Sequence, residues 1–310
     1  MNLRPSTSSD LDLETYLRLY RAVHPEHPRT LVQLRHQEAT WGPGELSVRF
    51  FVEEDGQAVG WAGYQTPMNP LPGQLEVELG LLEGYEGLFP LLWAFLEEQA
   101  RNQGAKALIV RVREDWPQRA AYQGQGFVEY DRTWASTLDL THFNPIPPEH
   151  PLPPSIRILA LAELNWHDEQ VQHSFYTLIT ALLQEVPWAE PLEIWPFELW
   201  RSRSLENPNF IPEGNFLALD QGQMVGVSQL LRSSRPQTLQ TGLTGVQPPY
   251  RRRGIARALK LRAARYAKAQ GYRYIRTSNH SINRPMLALN EAMGFAKEPA
   301  WLVLKKELQT

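Results

Sequence analysis

The chain contains no cysteine. That excludes disulfides, thiolate metal sites and a cysteine nucleophile, and it fits a cytoplasmic location with no resident metal. No apolar run approaches the ~20 residues that a membrane-spanning helix needs. Met1 to Asp10 is polar and holds no apolar signal-peptide core, so no membrane partner is expected. Overall charge is also slight, with 31 basic and 34 acidic residues giving a net −3.

That balance breaks locally. Between Asp220 and Glu291 there is no carboxylate, while the same stretch holds 13 arginines and lysines from Arg232 to Arg284. A basic segment inside an acidic chain points to one anion site. Nucleic acid is the rival anion. It calls for exposed aromatic platforms among the cations, a pattern that Tyr266, Tyr272 and Tyr274 do not make, so no nucleic-acid partner is expected.

With 310 residues, 42% hydrophobic and 21% charged, the chain has the composition of a soluble protein of two ordinary domains. Self-similarity supports that number. Phe50 to Gly60 (FFVEEDGQAVG) matches Phe216 to Gly226 (FLALDQGQMVG), each a hairpin signature, at an offset of 166. The segments around Gly104 and Gly271 match at an offset of 167, each a helix ending at a glycine ahead of a strand. Gly126-Phe127 matches Gly294-Phe295 at an offset of 168. The proline-dense Asn144 to Pro154 (NPIPPEHPLPP) forbids helix and central strand. The expected organisation is therefore a domain over 1–146, a linker over 147–154 and a second domain over 155–310. Helices interleave with strands, which predicts an α/β (α+β) layered fold.

The sharpest motif runs from Thr244 to Ala256 (TGVQPPYRRRGIA). A strand ends, a proline turn follows, and a helix starts at a glycine. The first amides of that helix have no intrahelical acceptor and suit a phosphate, with the helix dipole assisting. Gly254 permits close approach, and Arg251, Arg252 and Arg253 add charge.

Arg251-x-x-Gly254-x-Ala256 resembles the acetyl-CoA pyrophosphate loop of the GNAT N-acetyltransferases. Asn283 to Phe295 (NRPMLALNEAMGF) resembles the segment closing that fold. The tandem layout is similar to a two-domain subgroup with mycothiol synthase-like enzymes. The resemblance implies two GNAT-like domains, each a mixed, mostly antiparallel sheet flanked by helices. It implies acetyl-CoA as acyl donor and a small-molecule or peptide amine as acceptor. The amides of about Arg252, Arg253, Gly254, Ile255, Ala256 and Arg257 would cradle the pyrophosphate. Val246 would meet the pantetheine through its backbone, between strands that splay, and Asn283 would contact that arm or cap a helix.

The chain departs from the family pattern in its acid and base. The strand Leu239 to Val246 has no carboxylate, where many relatives carry a glutamate. Asn290 stands where many carry an acidic tyrosine, and an amide performs neither job; the first half has Tyr122 there. The catalytic positions to examine are thus Asn290 and the loop acids Glu185, Glu190 and Glu193, with ordered water as the other route and His280 as a lesser candidate. Trp188, Trp195, Phe197 and Trp200 beside these acids suit a cationic substrate or a packing seam. By the repeat offset Gly254 falls opposite Gly87, where Gly84, Tyr85 and Glu86 replace the arginines, so the first half is expected to keep the fold without the cofactor site. An acyl-CoA-binding sensor without catalysis is the alternative function.

Overall fold

The computed structural model describes residues 1–68, 71–144, 151–187 and 192–308. In chain order the elements are β1 (Asn2–Pro5), α1 (Asp10–Val23), α2 (Leu31–Ala39), β2 (Ser47–Glu54), β3 (Gln57–Gln65), β4 (Gln74–Leu81), α3 (Phe89–Asn102), β5 (Ala107–Arg113), α4 (Gln118–Gly124) and β6 (Val128–Asp139). There follow β7 (Ile156–Ala160), α5 (Glu169–Gln184), α6 (Phe197–Ser204), β8 (Phe210–Asp220), β9 (Gln223–Arg232), β10 (Thr238–Val246), α7 (Ile255–Ala269), β11 (Tyr274–His280), α8 (Arg284–Ala292), β12 (Ala296–Lys297) and β13 (Trp301–Glu307).

The matched hairpins form because each turn supplies two left-handed residues, Asp55-Gly56 and Gln221-Gly222. Helices α3 and α7 each end ahead of a glycine with positive φ, Gly104 and Gly271.

The chain forms two compact units, but they do not divide at the proline-rich segment. One unit is Met1–Arg132 with Ala300–Thr310; the other is Thr133–Pro299. The expected boundaries 1–146 and 155–310 are corrected accordingly, and residues 147–150 of the expected linker lie outside the described residues. Strand β6 changes unit along its length, and Thr133–Asp139 pairs antiparallel with β11. Strand β13, which lies within the expected second domain, pairs antiparallel along the whole of β5 in the first unit. In a duplicated chain the closing strands of the two halves are equivalent, so exchanging them leaves each sheet complete.

In the first unit the strand order is β1-β2-β3-β4-β5-β13, antiparallel except for the β4–β5 pair. Leu13, Tyr16, Leu17 and Tyr20 of α1 pack with Leu34, Phe51 and Trp61. In the second unit the order is β6-β11-β10-β9-β8-β7, antiparallel except for β10–β11. Alternation along β8 sends Phe216 and Ala218 toward α7, and Leu217 and Leu219 toward α5 and α6. Helix α7 buries Ile255, Leu259, Ala263, Ala264 and Ala267 with Leu239, Ile275 and Phe295. It also buries Lys260, at 4% exposure, with Nζ 5.0 Å from the centre of the Phe295 ring. Burial lowers the pKa of that ammonium to about 8.

Several of the 13 cations are tied to partners within the second unit. Arg273 pairs with Asp139, and Lys268 donates to the Phe143 carbonyl. Arg276, which is buried, forms a two-pronged pair with Glu298, and Thr137 donates to the same carboxylate. Burial alone would push Glu298 up, but hydrogen bonds from Arg276 and Thr137 bring its pKa down to about 2. A folded pKa below the unfolded one gives stability that is complete above the unfolded value of 4.5 and is lost as pH falls toward 2. The shift corresponds to at most about 3 kcal/mol. In urea titrations, Glu298→Gln should lower stability at pH 7, and the gap to wild type should narrow at pH 3. An equal gap at both pH values would show that the ion pair carries no such linkage.

Candidate functional site

Strand β10 and strand β11 are parallel partners only at Thr238–Tyr274, Leu239–Ile275 and Gln240–Arg276. Beyond these pairs β10 continues to Val246 without β11, giving the expected splay. The N–H of Gln247 donates to the Val225 carbonyl. Val246 and Thr244, opposite Gly226 and Ser228, are therefore non-hydrogen-bonded pairs with β9. Their N–H groups face the side from which β11 has parted.

The loop after β10 turns through Pro248–Tyr250, then carries two left-handed residues, Arg252 at φ 63° and Gly254 at φ 75°. Gly254 is the N-cap of α7 and supplies no side-chain cap. Ala258 N–H, bonded to the Gly254 carbonyl, is the first amide of the helix to find a partner. Among the described residues, no protein acceptor meets the amides of Arg252, Arg253, Gly254, Ile255, Ala256 or Arg257. By contrast α1, α2, α5 and α8 are capped by Ser9, Thr30, Asp168 and Asn283. An added Cβ at Gly254 meets nothing within 4 Å. The glycine is there for its positive φ, which L-residues adopt at a cost.

The three arginines separate in role. Arg251 is tied back, its Nε donating to the Val246 carbonyl at 3.0 Å and its Nη2 to Glu185 at 3.1 Å. It braces the loop and occupies Glu185, one of the loop acids considered as a base. Arg252 and Arg253 are exposed, and Arg253 lies over the Tyr250 ring at 5.5 Å. Arg257 Nε is buried without a partner. No carboxylate pairs with Arg252, Arg253 or Arg257 among the described residues.

Glu190 and Trp188 lie outside the described residues. The other aromatics near that loop belong to packing. Trp200 is buried against Phe175, the Tyr176 hydroxyl donates to the Trp195 carbonyl, and Phe197 stacks on His173. Asn283 is a helix cap, its side chain accepting from Met286 N–H at 3.3 Å. Asn290 is 2% exposed and donates through Nδ2 to Asn279 Oδ1 at 2.6 Å; its own Oδ1 has no partner. Neither amide is a proton donor of useful strength.

The first unit repeats the splay but fills it. Strands β4 and β5 pair only at Gln74–Ala107, Leu75–Leu108 and Glu76–Ile109. The ladder pair Gly60–Leu81 corresponds to Gly226–Val246, and Tyr85→Leu82 to Tyr250→Gln247. Gly254 therefore falls opposite Phe89 and not Gly87, which corrects the offset read from the sequence. Phe89 packs edge-on against Tyr122 at 5.5 Å, and the Tyr122 hydroxyl meets the backbone N–H of Leu79. Burial raises the pKa of that hydroxyl above its usual value. The loop amide of Gly84 donates to the carboxylate of Glu86 at 3.0 Å.

Residues 180–295, which span the splay and the loop, match the acetyltransferase (GNAT) family. The chain carries a GNAT acetyltransferase domain. The wider likeness covers both units. A mycothiol acetyltransferase from Thermobispora bispora is 26% identical over 283 residues, 89% of this chain and 87% of that protein. A GCN5-related N-acetyltransferase from Sphaerobacter thermophilus superposes with a TM-score of 0.71 at 19% identity, covering 99% of this chain and 96% of that one. A tandem GNAT protein from the clavulanic acid biosynthesis pathway gives 0.77 at 18%, covering 100% and 99%. At such identities the two structures share the fold with this acetyltransferase. None of its helices, among the described residues, is long and apolar enough to cross a membrane.

Proposed function

We propose that this acetyltransferase takes acetyl-CoA as donor in its second unit and transfers the acetyl group directly to an amine of a small molecule or peptide. The observation that carries this reading is the run of acceptor-free amides from Arg252 to Arg257, at the end of a strand that has parted from its neighbour. These amides, with Arg252, Arg253 and Arg257, fit a diphosphate in geometry and sign. The pantetheine arm would lie along the free edge of β10, and the N–H of Val246 would donate to the carbonyl oxygen as the amine adds.

The amine must lose a proton, since an alkylammonium has a pKa near ~10.4. No carboxylate on β10 takes that proton, and Asn290 cannot. Water at the splay or the loop holding Glu190 is the route that remains. The first unit serves as scaffold, because Phe89, Tyr122 and Glu86 already occupy its splay and loop.

Calorimetry of the wild type with coenzyme A should give saturable heat at micromolar affinity. Absence of heat with coenzyme A and with acetyl-CoA would falsify the donor assignment. The caged Asn290 favours one second reading, an acyl-CoA-binding protein that does not catalyse. Thiol release from acetyl-CoA over a panel of amines separates the two, because a sensor binds the thioester and turns over none of them.

A further inference from the structure

Strand β10 does not run evenly past β9. Leu230 pairs with Thr241 and Ser228 with Thr244, so Gln229 alone stands opposite Gly242 and Leu243. This is a β-bulge. The extra residue resets the phase of everything after it. One residue fewer would turn the N–H groups of Thr244 and Val246 back toward β9 and away from the parted edge.

Side chains pin the bulge. Gln229 Oε1 accepts the N–H of Leu243 at 3.0 Å. Gln229 Nε2 donates to Asn215 Oδ1 at 2.9 Å. Asn215 is fully buried, and its Nδ2 donates to the Ile211 carbonyl at 2.8 Å. That last bond spans the irregularity of β8 between Phe210 and Asn215. Two amides thus link three strands with their paired groups satisfied, which makes such a network rigid. Gly242 leaves the room, because a Cβ there would lie 3.0 Å from Gln229 Oε1. The first unit has nothing of this kind, its β3–β4 ladder running unbroken from Gly60–Leu81 to Gln65–Glu76.

We propose that Asn215 and Gln229 are positioning residues for acetyl transfer, holding the β10 bulge so that the N–H groups of Thr244 and Val246 face the thioester carbonyl. The proposal rests on the reading that the acyl donor lies along β10. Neither side chain needs to touch the donor, and the effect passes through the backbone of Leu243.

Isotope-edited infrared spectroscopy of carbonyl-labelled acetyl-CoA tests it without an acceptor. Hydrogen-bond donation lowers the carbonyl stretch, so the band should fall when the thioester binds wild type. In Gln229→Met, which keeps the side-chain length and removes the acceptor, the band should return to its free position. Affinity for coenzyme A should stay within threefold, since the diphosphate loop is untouched. Gly242→Ala should act in the same direction by displacing Gln229, and it stands in if Gln229→Met does not fold. A wild-type band shift in either folded variant overturns the positioning role while leaving the donor site in place. Acetyl-CoA that fails to bind the wild type overturns both.

Discussion

A chain ended at Pro299 is expected to lose the first unit as a folded body, although only the far C-terminus has been removed. The deleted segment holds β13, whose seven residues all pair with β5. Leu302 and Leu304 are fully buried and Leu308 is buried. Truncating one buried leucine typically costs about 2–5 kcal/mol, so two already cost about 4–10 kcal/mol. A domain has only about 5–15 kcal/mol to lose. The ion pair of Lys306 with Glu97 and the packing of Trp301 against Trp116 go as well. Hydrogen exchange on the truncated chain should show residues 1–132 unprotected and the sheet around β9 and β10 retained. Adding a peptide of residues 300–310 should restore protection. Unchanged protection of β5 after truncation would mean that β13 contributes nothing to that unit. By the same logic a fragment of residues 155–310 lacks the partner of β11, which is Thr133–Asp139.

The second large effect is on ligand binding. Gly254→Glu should abolish coenzyme A binding in calorimetry. Gly254 sits at φ 75°, where an L-residue costs roughly 1–2 kcal/mol. That lowers the melting temperature by a few degrees and leaves the fold. The larger consequence is electrostatic, because a carboxylate at the N-cap can take the free amides itself and repels a diphosphate. Hydrogen bonds to charged groups contribute about 1.5–3 kcal/mol each, so losing two removes about 3–6 kcal/mol. That is on the order of 10²- to 10⁴-fold in affinity. Gly254→Asn, which tolerates the left-handed conformation and adds no charge, should bind at least tenfold more tightly than Gly254→Glu. Coenzyme A affinity kept at wild-type level in a folded Gly254→Glu protein contradicts the site.

The amino-acid sequence by itself determined the elements, the duplication and the glycine-led loop ahead of α7. These are local properties. Turn glycines, strand alternation and the glycine at the tip of α7 act within a few residues, so their pattern survives in one dimension. The loop was legible because a run of acceptor-free amides needs only permissive side chains around it. Tertiary structure alone decided which closing strand joined which sheet, since β6 and β13 carry equivalent patterns and only pairing distinguishes them. It also decided which of the three arginines has a carboxylate partner among the described residues, because Arg251 is captured by Glu185, 66 residues earlier. The register of the first loop, with Phe89 where a glycine was expected, emerged only from the strand ladders, because Gln65 pairs with Glu76 in the first unit and Leu231 with Gln240 in the second, a connection two residues shorter. The bulge in β10 likewise depends on Asn215 and Gln229 meeting across strands. A contact made across a sheet leaves no spacing in the chain from which to read it.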